Sequence, residues 1–152
     1  KVVEFNARFG DPEAMNTLPV LETPLLDVLV AAREGDPLPE LAFAPEATVC
    51  KYAVPAGYPT DPEAGARLTL DENSVGDGLL FYASVDERED GIYTTTSRSF
   101  AVVGVADTIT EAEAVADTPL RDVGGGFRVR HDIGTPELVE RRIEHMDELR
   151  GG

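Results

Sequence analysis

Two prolines within four residues, at Asp36-Pro37-Leu38-Pro39, split the chain into stretches of different hydrophobic period. Proline lacks an N–H and its ring clashes with the turn before it, so no helix runs through this point. Ahead of the break, Thr23 reads as an N-cap and Pro24 as the first helical residue. Leu25, Leu26, Leu29 and Val30 then form an apolar stripe, and Gly35 is a stop. Beyond the break, residues 48–54, 79–83, 92–96 and 100–105 are rich in β-formers and separated by Pro/Gly loops. Asp90-Gly91 lies between two of these runs as a hairpin turn. A helix is predicted from about Thr110, with Asp107 or Thr108 near its cap and a small-residue face of Ala112, Ala114, Val115 and Ala116. Residues 127–130 read as a last strand. A closing helix then has Thr135 as N-cap, Pro136 at its first position, and Val139, Ile143 and Met146 on one stripe. The expected fold class is α+β: a mostly antiparallel β-sheet domain with two or more helices at 47–152. A linker at 37–46 joins it to residues 1–36, the end of a preceding domain.

The chain has 152 residues, ample for one buried core. Its 29 acids against 13 bases leave a formal charge of −16. Nucleic acids and anionic membrane surfaces recruit basic patches, so neither is an expected partner. No apolar run approaches a membrane span, and no secretory signal is read at the start. Cys50 stands alone, which fits a reducing, cytoplasmic setting. The acids are scattered, and Arg far outnumbers Lys, a pattern that resembles proteins of salt-loving microbes. Self-repulsion at low ionic strength and recovery in molar salt are expected. The competing expectation is an acidic protein with no salt requirement.

The run Glu4-Phe5-Asn6-Ala7-Arg8-Phe9-Gly10-Asp11-Pro12-Glu13 follows Val2-Val3 and reads as a strand leaving for a loop. Strand side chains alternate, so Glu4 and Asn6 share one face while Val3 and Phe5 take the other. Two adjacent oxygen donors suit a hard cation such as Mg²⁺ that bridges phosphate oxygens. If the chain stays extended, Arg8 joins that face, where it can stabilise charge on a transferring phosphoryl group. The pair Glu4 and Asn6 alone also fits the solvated face of a half-buried strand. Gly10 reads as a turn residue whose backbone can also meet a ligand. Asp11 reads as the N-cap of a helix opened by Pro12, or as a substrate contact.

Taken as a whole, the run from Glu4 to Glu13, with Pro19 after it, resembles the signature of the phosphoribosylamine–glycine ligase family, ATP-grasp enzymes of purine synthesis. Met15 stands where many relatives carry Gln. Gly57-Tyr58-Pro59, Val103-Gly104-Val105 with Asp107-Thr108, and Arg130-His131-Asp132-Ile133-Gly134 follow in the family's order. The resemblance implies that residues 1–36 end an ATP-grasp domain and 47–152 form the ligase's C-terminal α+β domain. It implies an activity joining glycine to 5-phosphoribosylamine, with ATP converted to ADP and phosphate through glycyl phosphate. It places Mg²⁺ or Mn²⁺ on Glu4 and Asn6 and Arg8 beside the reacting phosphate. Lys1 and Lys51 are the sole lysines, and no Gly-rich phosphate loop or lysine-bearing ATP clamp is present. The chain therefore reads as a C-terminal piece of a longer enzyme, inactive alone, with the adenine pocket elsewhere. Another ATP-grasp carboxylate–amine ligase and a non-catalytic α+β binding module are the alternatives.

Arg128 and Arg130 are expected on one strand face, with Arg98 at the start of another strand. In so acidic a chain such a cluster is a local exception that can grip a phosphate, and Arg98 and Arg130 are the candidates for the substrate's 5-phosphate. The competing expectation pairs each with surface acids. His131 and His145 lack neighbours at metal-ligand spacing and read as surface residues, so no zinc site is expected. Cys50 reads as a small buried hydrophobe on its strand.

Overall fold

A computed structural model describes residues 2, 7–124 and 126–151, and the chain divides into two compact units, residues 1–46 and 47–152.

In the first unit, α1 spans Glu13–Thr17 and α2 spans Leu25–Glu34, with a 3-10 turn at Leu18–Val20 between them. Both helices start one residue later than the capping pattern predicts. Pro12 (φ −95°, ψ 6°) precedes α1 and Pro24 (φ −55°, ψ 114°) precedes α2, so each proline is the residue before the first turn rather than in it. Asp11 is thus one position too early to be the N-cap. The Thr23 hydroxyl is used across the chain instead, donating to the Glu40 carbonyl at 3.1 Å and accepting the Ala42 N–H at 2.8 Å. That pairing, with the Leu21–Phe43 bridge and Ala44 N–H to Val20 carbonyl at 2.8 Å, folds residues 40–44 back along 20–23. Gly35 closes α2 in the left-handed region at φ 77°, as its stop signal predicts.

In the second unit the elements are β1 Ala47–Pro55, β2 Leu79–Tyr82, β3 Val85–Arg88, β4 Gly91–Thr94, β5 Phe100–Ala106, α3 Ile109–Asp117, β6 Phe127–Val129 and α4 Pro136–Gly151. Among the described residues, β2-β5-β1-β6 form an antiparallel sheet and β3-β4 a separate hairpin. Strand β3 was not expected from the sequence. It moves the hairpin loop to Glu89-Asp90, with Gly91 pairing Arg88 as the first residue of β4 rather than completing the turn.

Register sets the faces. Val49, Lys51 and Ala53 of β1 pair with Gly104, Val102 and Phe100 of β5, and this face carries α3 and the core. Ala112 and Ala116, one helical turn apart, are fully buried on α3, while Ala114 is exposed, so the small-residue face is narrower than predicted. A β-carbon at Gly104 would collide with the Ala112 carbonyl, so the missing side chain lets the helix backbone lie directly on the strand. Thr108 caps α3 by accepting the Glu111 N–H at 3.2 Å. Phe100, edge-on to Phe127 at 5.7 Å between ring centroids, fills the core with Val102 and Leu120.

Candidate functional site

The metal pair predicted at Glu4 and Asn6 lies outside the described residues. Of the neighbouring candidates, Arg8 is exposed and its Nη1 donates to the Phe9 carbonyl at 3.1 Å. Gly10 turns the chain into α1, its carbonyl accepting the Ala14 N–H at 2.9 Å, while Asp11 is exposed at the start of that turn. Among the described residues no group of three His, Cys, Asp or Glu could hold a metal ion.

The second unit brings together what the sequence could only place on separate strands. Val54 of β1 pairs with Arg128 of β6, so the two side chains share the sheet face opposite α3. Tyr52, two residues before Val54, and Arg130, two after Arg128, fall on the same side. Beyond β1 the chain loops back: Gly57 sits at φ 76°, its carbonyl accepts the N–H groups of Thr60 and Asp61, and the Ala56 carbonyl accepts Glu63 N–H at 2.8 Å. A β-carbon at Gly57 would run into the Asp61 carbonyl, so glycine is needed both for its φ and for that close approach. The loop stands Tyr58 and Pro59 up as a wall. The result is a cleft of about 320 Å³, closed at one side by Ile133.

The three arginines differ in state. Arg98 lies over the Tyr52 ring, its Cζ 5.1 Å from the centroid, in cation–π geometry. Arg130 is neutralised by a two-point contact to Asp132, at 3.0 and 2.6 Å, and its guanidinium holds that carboxyl below the usual carboxylate range. Arg128 is exposed at the cleft with no hydrogen bond or ion pair to it among the described residues. The expected pairing with surface acids thus holds for Arg130 and fails for Arg128.

Under the cleft-forming segment lies a network that sequence reasoning missed. Lys51 is fully buried, and its Nζ donates to Glu113 at 2.5 Å, to Asp117 at 2.7 Å and to the His131 carbonyl at 2.7 Å. Asp117 also accepts from Arg121 Nε at 2.8 Å and meets His131 Nδ1 at 2.7 Å. Burial alone would raise the Asp117 carboxyl, but the hydrogen bonds from Lys51, Arg121 and His131 outweigh it and hold the group far below its ordinary value. His131 is exposed, as its reading as a surface residue expects, and its ring is also anchored at Asp117. Spacing gave no warning, because Lys51 reaches partners 62, 66 and 80 residues away. An uncovered ammonium on a strand of otherwise apolar character was the only available signal.

Comparison with known proteins places these features in context. The family profile described as phosphoribosylglycinamide synthetase, C domain, matches residues 48–136. Phosphoribosylamine–glycine ligase of Methanococcoides burtonii is 53% identical over 152 residues, which cover 99% of this chain and 34% of that relative. The ligase of Methanocella arvoryzae is 54% identical over 153 residues, 99% of this chain and 35% of the relative. The crystal structure of the Thermotoga maritima phosphoribosylamine–glycine ligase superposes with a TM-score of 0.71 at 26% identity, covering 86% of this chain and 32% of that one. The chain thus spans about a third of the length of these relatives.

Proposed function

Because the chain belongs to the phosphoribosylglycinamide synthetase family, with residues 48–136 matching its C domain, we propose that it is the C-terminal part of an ATP-dependent ligase. The reaction joins glycine to 5-phosphoribosylamine, with ATP converted to ADP and phosphate through glycyl phosphate. The observation that carries this reading is identity above 50% along almost the whole chain to proteins named as that ligase. Residues 1–36 then belong to the end of the ATP-grasp domain, 37–46 to a linker, and 47–152 to the C-terminal domain.

A carboxylate and a carboxamide oxygen are the hard donors that Mg²⁺ or Mn²⁺ takes, so Glu4 and Asn6 are assigned to the metal. When bound there, the ion supplies charge neutralisation at the phosphate oxygens of ATP. Arg8, exposed beside this pair in sequence, is assigned to the reacting phosphate, where a fixed guanidinium stabilises charge as it develops. Gly10 and Asp11 contact substrate in the same turn. Arg130, which lines the tyrosine cleft, and Arg98, which lies over its Tyr52 ring, are assigned to the 5-phosphate of the sugar. The setting is cytoplasmic, because a chain whose single cysteine, Cys50, is buried and forms no disulfide suits a reducing compartment.

The test is Glu4→Gln in the complete enzyme. It abolishes ligase activity while the circular dichroism spectrum and unfolding midpoint stay those of the parent. Full turnover in that variant refutes the metal assignment. In the same enzyme, Arg98→Ala and Arg130→Ala raise the KM for phosphoribosylamine, and an unchanged KM removes both from the substrate site.

A further inference from the structure

The cleft beside β1 and β6 has a composition that a bare sugar phosphate does not explain. Its floor and walls are Tyr52, Val54, Tyr58, Pro59 and Ile133, and among the described residues no Asp, Glu, Asn, Gln, Ser or Thr lines it. Ribose hydroxyls bind through such groups, and burying them against aliphatic carbon leaves their hydrogen bonds unmade. A flat heterocycle can lay its apolar face there while its polar edge stays at the open mouth. Its face stacks on tyrosine, and burying its apolar area is favourable. Two of the chain's four tyrosines stand at this one cleft.

The mouth supplies the opposite chemistry. Among the described residues no acid pairs with Arg128, in a chain of net −16 where surface acids are abundant. Arg98 is set back against the Tyr52 ring, which fixes its plane and strengthens the ring as a stacking surface. A cleft of about 320 Å³ lies at the small end of the ~300–1,000 Å³ typical of small-molecule sites, enough for one base whose sugar and phosphate stay at the open mouth, and too little for a dinucleotide.

We infer that this cleft binds a nucleoside monophosphate, with the base stacked between Tyr52 and Tyr58 and the phosphate on Arg128. The inference takes from the ligase reading only that arginines here face a phosphate. The ring and the leading role of Arg128 are additions. A mononucleotide and the sugar phosphate would then compete for the same cleft, which makes it a point of control by nucleotide.

Calorimetric titration of the complete enzyme, its ATP site saturated with a non-hydrolysable ATP analogue, with AMP, adenosine, ribose 5-phosphate and inorganic phosphate separates the possibilities. AMP binds at least tenfold more tightly than the other three. Arg128→Ala weakens AMP at least tenfold and leaves adenosine unchanged. Tyr58→Leu weakens AMP and adenosine alike. Both positions are outside the buried core, and identical circular dichroism spectra establish that the variants fold. Ribose 5-phosphate binding as tightly as AMP overturns the inference while leaving the substrate-phosphate reading of Arg98 and Arg130 standing. Absence of any binding at millimolar ligand, or AMP affinity unaffected by Arg128→Ala, overturns it too. The Glu4→Gln assay tests the ligase assignment on its own.

Discussion

Replacing Lys51 by Met keeps the length and apolar stem of the side chain and removes its charge from a site with no solvent exposure. Three acceptors lose their donor at once: Glu113 at 2.5 Å, Asp117 at 2.7 Å and the His131 carbonyl at 2.7 Å. Removing one partner of a buried ion pair costs about 3–5 kcal/mol, because the remaining charge stays buried without compensation. Asp117, whose side chain is 4% exposed, retains Arg121 and His131, and Glu113 is near enough to the surface to draw in water. The lower end applies, about 3 kcal/mol. For a unit of this size that corresponds to a fall in Tm of about 13 °C. Thermal unfolding followed by circular dichroism, at fixed pH and KCl, reads it directly. The pH dependence gives a second reading with a defined sign. The Asp117 value is depressed in the folded chain, so its stabilising contribution is present above the unfolded value of about 3.9 and is lost as pH falls through the lower folded value. Without Lys51 the folded value rises, and acid unfolding moves to higher pH. Adding Glu113→Gln to Lys51→Met recovers part of the loss, since the carboxylate left without its lysine is gone. A Tm within about 2 °C of the parent, with unchanged acid unfolding, would refute the reasoning.

Three further outcomes are expected. Gly104→Ala drives a methyl group into the Ala112 carbonyl and forces α3 off β5, which lowers the urea midpoint by about 2–3 kcal/mol of stability; an unchanged midpoint means the helix does not lie on that glycine. The Tyr82 phenol is pushed up to about 12 by burial and by its 2.6 Å hydrogen bond to Glu72, so its contribution is present below the unfolded value of about 10 and is lost as pH rises through the folded one. Ultraviolet titration shows Tyr82 ionising late, alongside Tyr93, whose hydrogen bond to Asp90 also raises it, and Glu72→Gln brings Tyr82 alone back down. With 29 acids against 13 bases, Tm climbs steeply between low and molar KCl, and a flat profile rules out a salt-requiring fold.

Local signals were sufficient for much of the fold. The β-rich runs became β1, β2, β4 and β5, and Gly35 and Thr135 bound their helices where stop and cap chemistry put them. Those signals act within a few residues, through φ preferences and side-chain-to-backbone hydrogen bonds, so a single sequence displays them. Thr23 and Asp11 show where such reasoning stops. Both carry capping chemistry, yet each helix begins a residue later, and the Thr23 hydroxyl joins residues 17 and 19 positions away.

The sequence by itself determined the α+β class, the acidic surface and the run of residues that ties the chain to its family. Only the tertiary structure decided that Tyr52, Tyr58 and Arg128 share one cleft, that Asp132 occupies Arg130, and that Lys51 is buried among acids from α3. Each of these is a meeting of residues far apart in the chain. Their partners are selected by strand register and helix placement, and no spacing along the sequence records which distant charge or ring will arrive.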